Sequence, residues 1–225
     1  MAASFCQKTL LITIGQTPRN DLMDAFESAN LNNIQMLGAL DALSEEKLEA
    51  LKQASSGKAE KLFVVLKNGT ANIAHQFIEE QIRKLVEQHY DQASLIVILC
   101  MSDFEAVELP KVVSPIQLMM EKAKQIKSGE TVLICVPIQE QLETAKKKWK
   151  NVNGDKYFAV VNPKEEQVSE QMMQQLAVYQ PKHLIMDCYG YDYEIGKEIE
   201  KRYPCTVYNG QSLIIDKICN NDVLY

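Results

Sequence analysis

The chain has 225 residues, which is enough for one compact domain or for two small lobes that each bury a hydrophobic core. Its composition, 46% hydrophobic and 24% charged, is ordinary for a globular protein, and a net charge of −6 without a basic patch argues against a nucleic-acid partner. No apolar run approaches the roughly 20 residues of a membrane span, and the N-terminal apolar stretch is too short for a signal peptide. We therefore expect no membrane partner and a cytoplasmic location.

Strand-like and helix-like runs alternate along the first half of the chain. The predicted strands are 9–15, 33–38 and 94–100, and the predicted helices are 18–29, 44–53 and a long one that ends near 87. Pro18 suits the first turn of its helix, with Thr17 as the N-cap. Within 61–75, the pair Asn68–Gly69 predicts a β-hairpin, because both turn positions need positive φ angles.

The second half continues the alternation after an irregular stretch at 101–113. The predicted strands are 131–137, 157–161, 182–188 and 205–209, and the predicted helices are 115–126, one that ends near 150, one that ends near 179, 193–202 and 211–219. Alternation at these lengths predicts βαβ units and an α/β fold with a largely parallel sheet. No linker rich in Gly, Ser or Pro divides the chain, so two lobes would be tightly joined.

Two similar sequence segments each end in a cysteine. The runs SLIVILC, ending at Cys100, and KHLIMDC, ending at Cys188, each have a polar start, an apolar strand and a terminal cysteine. Ligands of open α/β sheets bind at the carboxyl ends of the strands, where both thiols should lie. Two such thiols can transfer a proton at a carbon, one as thiolate base and one as thiol acid, without a metal or an organic cofactor.

Core packing is the alternative role for any single cysteine. The six cysteines show neither a C-x-x-C pair nor the spacing of a zinc site, and the three histidines show no metal-ligand spacing, so we expect free thiols and no metal. A single glycine in ITIGQTPRND disfavours dinucleotide binding. We interpret four cysteines as core residues: Cys6, Cys135, Cys205 and Cys219.

Other polar residues are expected at the same edge of the sheet. Arg19, near a predicted helix N-terminus, is suited to hold a carboxylate or a phosphate; the alternative is a surface ion pair with Asp21 or Asp24. Asp187 either orients a neighbour or holds the end of its strand through backbone N–H groups. The remaining candidates at strand ends are Thr17, Asn68, Ser102, Tyr189 and Gly190.

Several segments together resemble the AroM family of bacterial proteins, in order along nearly the whole chain: LLITIGQTPRNDL, LGAL…LSEEKLEAL, LKNGT, VPIQEQLETAKKKW and LIMDCYGYD…SLI. That family is similar to the aspartate/glutamate/hydantoin racemase superfamily. The resemblance implies two doubly wound, three-layer α/β lobes related by pseudo-twofold symmetry, with a cleft between them and a catalytic cysteine from each. The expected lobes are 1–112, joined by the segment 210–225, and 113–209. Superfamily relatives make a homodimer the default.

The resemblance places Cys188 at the second-lobe cysteine and Cys100 at the first. Racemases of this group usually carry Cys-Asn-Thr after the central strand, whereas this chain has Cys100-Met101-Ser102. Ser102 keeps the hydroxyl, while Met101 loses an amide suited to a substrate carboxylate. Asp187 is a second departure, because a nearby carboxylate opposes thiolate formation.

The leading hypothesis is a cofactor-independent racemase or epimerase of a small carboxylate metabolite. Cys100 and Cys188 would exchange the proton, and Thr17 and Arg19 would hold the carboxylate. Residues predicted to line the site are Asn68, Ser102, Asp187, Tyr189 and Gly190. Three alternatives stay open. The protein could be a single-cysteine isomerase or decarboxylase, or a non-catalytic sensor of a metabolite linked to aromatic amino-acid metabolism. It could also be a family member that has lost its activity and only scaffolds a partner.

Overall fold

A computed structural model describes residues 8–31, 33–163 and 169–221, and the chain divides into two compact units after Ser114. The first unit contains a four-stranded parallel sheet in the order β2-β1-β5-β6 and a separate antiparallel hairpin of β3 and β4. Its elements are β1 (Lys8–Thr13), α1 (Asn20–Ser28), β2 (Ile34–Gly38), α2 (Glu45–Ala54), β3 (Lys61–Leu66), β4 (Gly69–Ala74), α3 (His75–His89), β5 (Ala93–Leu99) and β6 (Val112–Val113).

The second unit contains a four-stranded parallel sheet in the order β8-β7-β9-β10. Its elements are α4 (Pro115–Ala123), β7 (Thr131–Val136), α5 (Leu142–Lys148), β8 (Asp155–Val160), α6 (Glu170–Tyr179), β9 (His183–Met186), α7 (Tyr193–Arg202), β10 (Thr206–Asn209) and α8 (Gly210–Asn221).

The two sheets share one topology. When the strands of each sheet are numbered along the chain, both sheets have the order 2-1-3-4. Cys100 directly follows the third strand of the first sheet, and Cys188 follows the third strand of the second after one intervening residue. The predicted α/β fold with mostly parallel sheets is confirmed. The two similar segments that end at Cys100 and Cys188 occupy equivalent places in two similar sheets.

The central strands are apolar because both of their faces are covered. Every residue of β9 is buried, as are all but one residue of β5 and of β7. A strand in a parallel sheet that is packed on both faces has no polar side to display, so its sequence reads as a continuous apolar run. Short runs of this kind could therefore be assigned to strands without an alternating pattern.

The predicted hairpin forms, but its turn lies one residue earlier. Leu66 pairs with Gly69, so the two turn residues are Lys67 and Asn68. Gly69 has φ 115°, whereas positive φ among the described non-glycine residues occurs at two positions outside this turn. Contacts with the loop after β1 fix this register, since the Lys67 N–H donates to Gln16 Oε1 at 3.1 Å.

The ends of the chain differ from expectation in two respects. Helix α8, the described part of 210–225, belongs to the second unit, where it packs on α4, α7 and β10, whereas the sequence placed this segment with the first lobe. Cys219 on α8 is exposed, so the interpretation of this residue as a core cysteine is wrong. Cys135 and Cys205 are buried as expected, and Cys6 lies outside the described residues.

A hydrogen-bonded cluster around the Glu130 carboxylate lies at the amino-terminal end of the second sheet. Glu130 accepts hydrogen bonds from Lys182 Nζ at 2.6 Å, from His183 Nε2 at 2.8 Å and from the Lys127 N–H at 2.8 Å. These donors lower the pKa of Glu130 to about 2. His183 is thereby given a structural role, which its hydrogen bond with the Tyr208 hydroxyl (3.2 Å) completes.

We expect Glu130→Gln to lower the free energy of unfolding at pH 7 and to do so less at low pH. A carboxyl whose folded pKa lies below its ordinary value stabilises the fold above that ordinary value, and the stabilisation disappears as the pH falls toward about 2. Urea unfolding of both proteins at pH 7, 5 and 3 measures the difference. A gap between wild type and variant that is independent of pH would contradict the assignment.

Two kinds of feature are absent from the described part of the chain. None of its helices has the length and apolarity needed to cross a membrane. Its His, Cys, Asp and Glu side chains form no group of three or more that could hold a metal ion.

Candidate functional site

Cys100 lies in a tight turn directly after β5. Its N–H donates to the carbonyl of Ile98 at 2.9 Å, and the N–H of Ser102 lies 3.4 Å from its Sγ, within reach of a hydrogen bond. The thiol is buried and packs in the core of the first unit with residues that include Phe104. The turn therefore aims a backbone donor at the sulfur.

Cys188 repeats this geometry in the second unit. Its N–H donates to the carbonyl of Met186 at 2.9 Å, and the N–H of Gly190 lies 3.4 Å from its Sγ. Unlike Cys100, this thiol is partly exposed. A Cβ added to Gly190 would lie 3.5 Å from Sγ, so glycine leaves the sulfur open on that side.

The shared turn has a chemical consequence. A backbone N–H that donates to sulfur stabilises the thiolate relative to the thiol. In both units the donor belongs to the second residue after the cysteine, and the distance is the same, 3.4 Å. Burial raises the pKa of two other cysteines, that of Cys135 to about 12 and that of Cys205 to about 11.

The first turn of α3 holds the loop that follows Cys100. His75 Nε2 donates to the carbonyl of Asp103 at 2.7 Å, and its ring stacks on Phe104 with 4.9 Å between the ring centroids. Glu79 accepts a hydrogen bond from the N–H of Ala106 at 3.0 Å. Sequence reasoning missed this support, because the partners are more than 25 residues apart and share no motif.

The junction between β10 and α8 holds the loop that follows Cys188. The buried side chain of Asn209 donates to the carbonyl of Tyr191 at 3.0 Å. Gln211 accepts from the N–H of Tyr193 at 3.0 Å and donates to the carbonyl of Tyr189 at 3.1 Å. Sequence reasoning missed both residues, although their place at the carboxyl end of a predicted strand was a usable signal.

Tyr189 carries a buried hydroxyl whose oxygen has no hydrogen-bond partner among the described residues. Burial raises the pKa of this phenol well above its ordinary value, so the group stays neutral. A buried hydroxyl without a partner costs about 1–3 kcal/mol, which makes it unusual in a folded protein. Next to a candidate catalytic cysteine, it is a polar group that a ligand could satisfy.

Asp187 points its carboxylate at α5. Its two oxygens accept from Lys148 Nζ at 2.7 Å and from Trp149 Nε1 at 2.8 Å, and its backbone N–H donates to the carbonyl of Cys135 at 2.8 Å. The carboxylate is thus held within the protein by two side chains, rather than by the backbone N–H groups expected at the end of the strand.

Thr17 is also bound within the protein. Its N–H and its hydroxyl donate to the two carboxylate oxygens of Asp41, at 2.8 and 2.7 Å, and Asp41 also accepts from the N–H of Gly38 at 2.7 Å. The Thr17-Pro18 peptide bond is cis, and α1 begins only at Asn20. The prediction of Thr17 as N-cap is therefore wrong, because Asp41 engages its hydroxyl and N–H.

Arg19 forms a bidentate ion pair with Asp21. Nε and Nη2 donate to the two carboxylate oxygens at 2.8 and 2.7 Å, and Nη1 lies 3.5 Å from the Thr13 hydroxyl. The guanidinium is largely buried, whereas the Asp21 side chain is 63% exposed. Thr13 pairs in register with Leu99, the residue before Cys100, so Arg19 lies at the same edge of the sheet as this thiol.

Asn68 is placed less centrally than expected. It lies exposed in the hairpin turn, and its side chain donates to Glu45 Oε1 at 3.3 Å. This contact joins the hairpin to the first turn of α2.

The chain matches the family described as AroM protein over residues 10–220, which is nearly its whole length. It belongs to the AroM family. No curated protein matches the chain.

Several solved racemase structures resemble the fold of this AroM protein. Allantoin racemase from Klebsiella pneumoniae is 13% identical, with a TM-score of 0.62 over 97% of this chain and 88% of that one, so the two share a fold. Weaker likenesses are an aspartate racemase from Picrophilus torridus (TM-score 0.49, 11% identity, 92% of this chain and 93% of that one) and a glutamate racemase from Francisella tularensis (TM-score 0.48, 12% identity, 98% and 84%).

Proposed function

We propose that this AroM protein is a cofactor-independent racemase or epimerase in which Cys100 and Cys188 exchange a proton at one carbon of a small carboxylate. The observation that carries the proposal is the matched setting of the two thiols. Each follows the third strand of a sheet with the same strand order, and each has a backbone N–H 3.4 Å from its sulfur. The fold shared with an allantoin racemase supports this class of reaction.

The proposed reaction consists of two proton transfers. One cysteine, as thiolate, removes the proton from the substrate α-carbon and becomes a thiol. The electron pair left on carbon delocalises into the carboxylate, giving an enediolate-like anion that backbone N–H groups can stabilise. The other cysteine, as thiol, delivers its proton to the opposite face of the carbon and becomes a thiolate. The two cysteines have then exchanged states, and the reverse reaction can start directly.

Arg19 is the proposed partner of the substrate carboxylate. Its Nε and Nη2 donors already bind a carboxylate side-on, that of Asp21. A substrate carboxylate can take the same two donors if Asp21 moves away, and the high exposure of the Asp21 side chain makes such a movement inexpensive. The ion pair anticipated as the alternative role of Arg19 thus becomes the ligand-free state of the carboxylate site.

We expect Asp21→Asn to tighten the binding of small carboxylates severalfold, because it removes the competing carboxylate from Arg19. The measurement is isothermal titration with succinate, with Asp24→Asn on the same helix as the control for lost surface charge. Arg19→Gln should abolish the binding in either background. Unchanged succinate affinity in Asp21→Asn would remove Arg19 from the proposed site.

A second candidate function rests on a difference between the two thiols. Cys100 is 8% exposed and packs in the core, whereas Cys188 is more open. If Cys188 alone acts as acid and base, the protein is a single-cysteine isomerase or decarboxylase. The two candidates differ in whether Cys100 is needed.

The test is exchange of α-protons in D₂O, followed by NMR on a mixed pool of amino acids, small hydroxy and dicarboxylic acids, and allantoin. Wild type is compared with the double variant Cys100→Ser/Cys188→Ser. We expect one compound to exchange with wild type alone. Binding to one compound without exchange, seen as line broadening with both proteins, would replace the enzyme with a metabolite sensor.

Reduced thiols are a condition of this chemistry. The proposed thiolate base is a reduced cysteine, and the cytoplasm is a compartment that keeps thiols reduced. We therefore propose the cytoplasm as the place of action.

A further inference from the structure

We propose that Lys148 compensates the negative charge of Asp187 and that Trp149 helps to hold its carboxylate in place. The neighbouring Cys188 can then act as a thiolate. The inference rests on the role proposed for Cys188. It makes Lys148 and Trp149 positioning residues: they contact Asp187, and their effect reaches the cysteine through it.

The cluster is built from buried and well-aligned contacts. Lys148 Nζ lies 2.7 Å from one oxygen of Asp187, and Trp149 Nε1 lies 2.8 Å from the other. The Asp187 side chain is only 2% exposed, that of Lys148 is 25% exposed, and Trp149 is completely buried. With a donor on each oxygen, the carboxyl has the acceptor pattern of its ionised form.

Charge compensation of Asp187 matters because Cys188 is the next residue in the chain. Burial raises the pKa of the Asp187 carboxyl, and the contacts with Lys148 and Trp149 offset part of this rise. An ionised carboxylate one residue from Cys188 opposes a second negative charge on the sulfur, and a buried setting strengthens that repulsion. The ammonium of Lys148 cancels the charge of Asp187, which leaves the amide donor of Gly190 to favour the thiolate.

Two other ionisable groups of the second unit, Tyr191 and Cys135, stay protonated at neutral pH. Burial is the main cause of the raised pKa of Tyr191. The Tyr191 hydroxyl donates to the carbonyl of Val161 at 2.7 Å and therefore stays protonated. Burial likewise raises the pKa of Cys135, which keeps this thiol protonated at neutral pH. Among these four residues, Asp187 and Lys148 are therefore the charged ones.

The test is the rate at which iodoacetamide alkylates Cys188, measured from pH 6 to pH 10 by mass spectrometry of the tryptic peptide 183–197, which contains this one cysteine. The proteins are wild type, Lys148→Met, Asp187→Asn and the double variant. We expect Lys148→Met to raise the apparent pKa of Cys188 by about one unit, which slows alkylation about tenfold below that pKa. The double variant should return to within about twofold of wild type, because both charges are gone.

Lys146→Met is the matched control, since Lys146 lies on the same helix and pairs with the exposed Glu143 at 2.7 Å. It should leave the alkylation profile unchanged. Removing both members of a buried ion pair is usually tolerated, so the double variant keeps the test decisive if Lys148→Met does not fold. In that case Asp187→Asn, which leaves a cation next to Cys188, should lower the apparent pKa relative to the double variant.

Two results would overturn the inference: an unshifted profile in folded Lys148→Met, or slow alkylation that persists in the double variant, which would mean a packing role alone. Alkylation needs no substrate, so these outcomes do not depend on whether the protein racemises anything. Loss of the proposed function would instead show as absent α-proton exchange in a protein whose Cys188 still responds to Lys148.

Discussion

Cys188→Ser should lower the rate of substrate racemisation by at least about 100-fold, and Cys100→Ser should do the same. A positioned general acid or base contributes roughly 10² to 10⁴ to a rate, and a serine hydroxyl has far too high a pKa to replace a thiolate at neutral pH. The backbone donors at Ser102 and Gly190 remain in the variants, so the loss measures the sulfur itself. Chiral chromatography of the compound found by α-proton exchange gives the rates.

Stability measurements separate chemistry from folding in these variants. Cys100 is buried in an apolar cluster, so its replacement by serine should also cost about 1–3 kcal/mol of unfolding free energy. Cys188 is partly exposed, so its replacement by serine should lower the free energy of unfolding less. Cys219→Ser, on an exposed face of α8, should leave both rate and stability unchanged. If Cys188→Ser kept more than a tenth of the wild-type rate, the proposed acid/base role of Cys188 would be wrong.

Gly15→Ala should destabilise the protein by about 3 kcal/mol, the upper part of the range for steric overpacking. A Cβ at Gly15 would lie 2.0 Å from the carbonyl oxygen of Val65 and 3.0 Å from its carbonyl carbon. Both are backbone atoms of β3, so no side-chain rotation relieves the clash. The same carbonyl accepts the N–H of Gln16 at 2.9 Å, a bond that joins the loop after β1 to the hairpin.

In Gly15→Ala, displacement of the loop after β1 should also reduce the racemase activity, because this loop leads directly to Arg19. Urea unfolding and succinate binding measure the two effects. Gly196→Ala is the matched control: its Cβ would meet the side chain of Asn209 at 3.4 Å, a contact that a small shift accommodates. A change of less than about 1 kcal/mol in Gly15→Ala would mean that the hairpin does not depend on this close approach.

The fold could be predicted largely because its strands are buried on both faces. β5 and β7 appear in the sequence as unbroken apolar runs, and the lengths of the intervening helices imply parallel connections. Strand β6, with two residues, was too short to stand out from the irregular stretch around it. The hairpin turn was displaced by one residue because contacts with Gln16, distant in sequence, set its register.

The candidate site could be predicted only at its strand ends. Cys100 and Cys188 could be proposed as site residues because a thiol after a buried strand is expected at the ligand-binding edge of a parallel sheet. Their supports could not be found in the same way. Asp41 and Lys148 bind residues 24 and 39 positions away, and no local pattern connects such pairs. The partners that decide what Thr17 and Asp187 do were therefore visible only in the folded chain.

The most direct test of the two-cysteine proposal is where solvent deuterium first appears. The compound identified by α-proton exchange is supplied as one enantiomer in D₂O, and the two enantiomers are separated within the first few per cent of conversion. With one cysteine on each face, the product should carry one deuterium and the recovered substrate none, because the acid that protonates the product has exchanged with solvent. Deuterium returned to the starting enantiomer at a comparable rate would show a single acid/base group and contradict the pairing of Cys100 with Cys188.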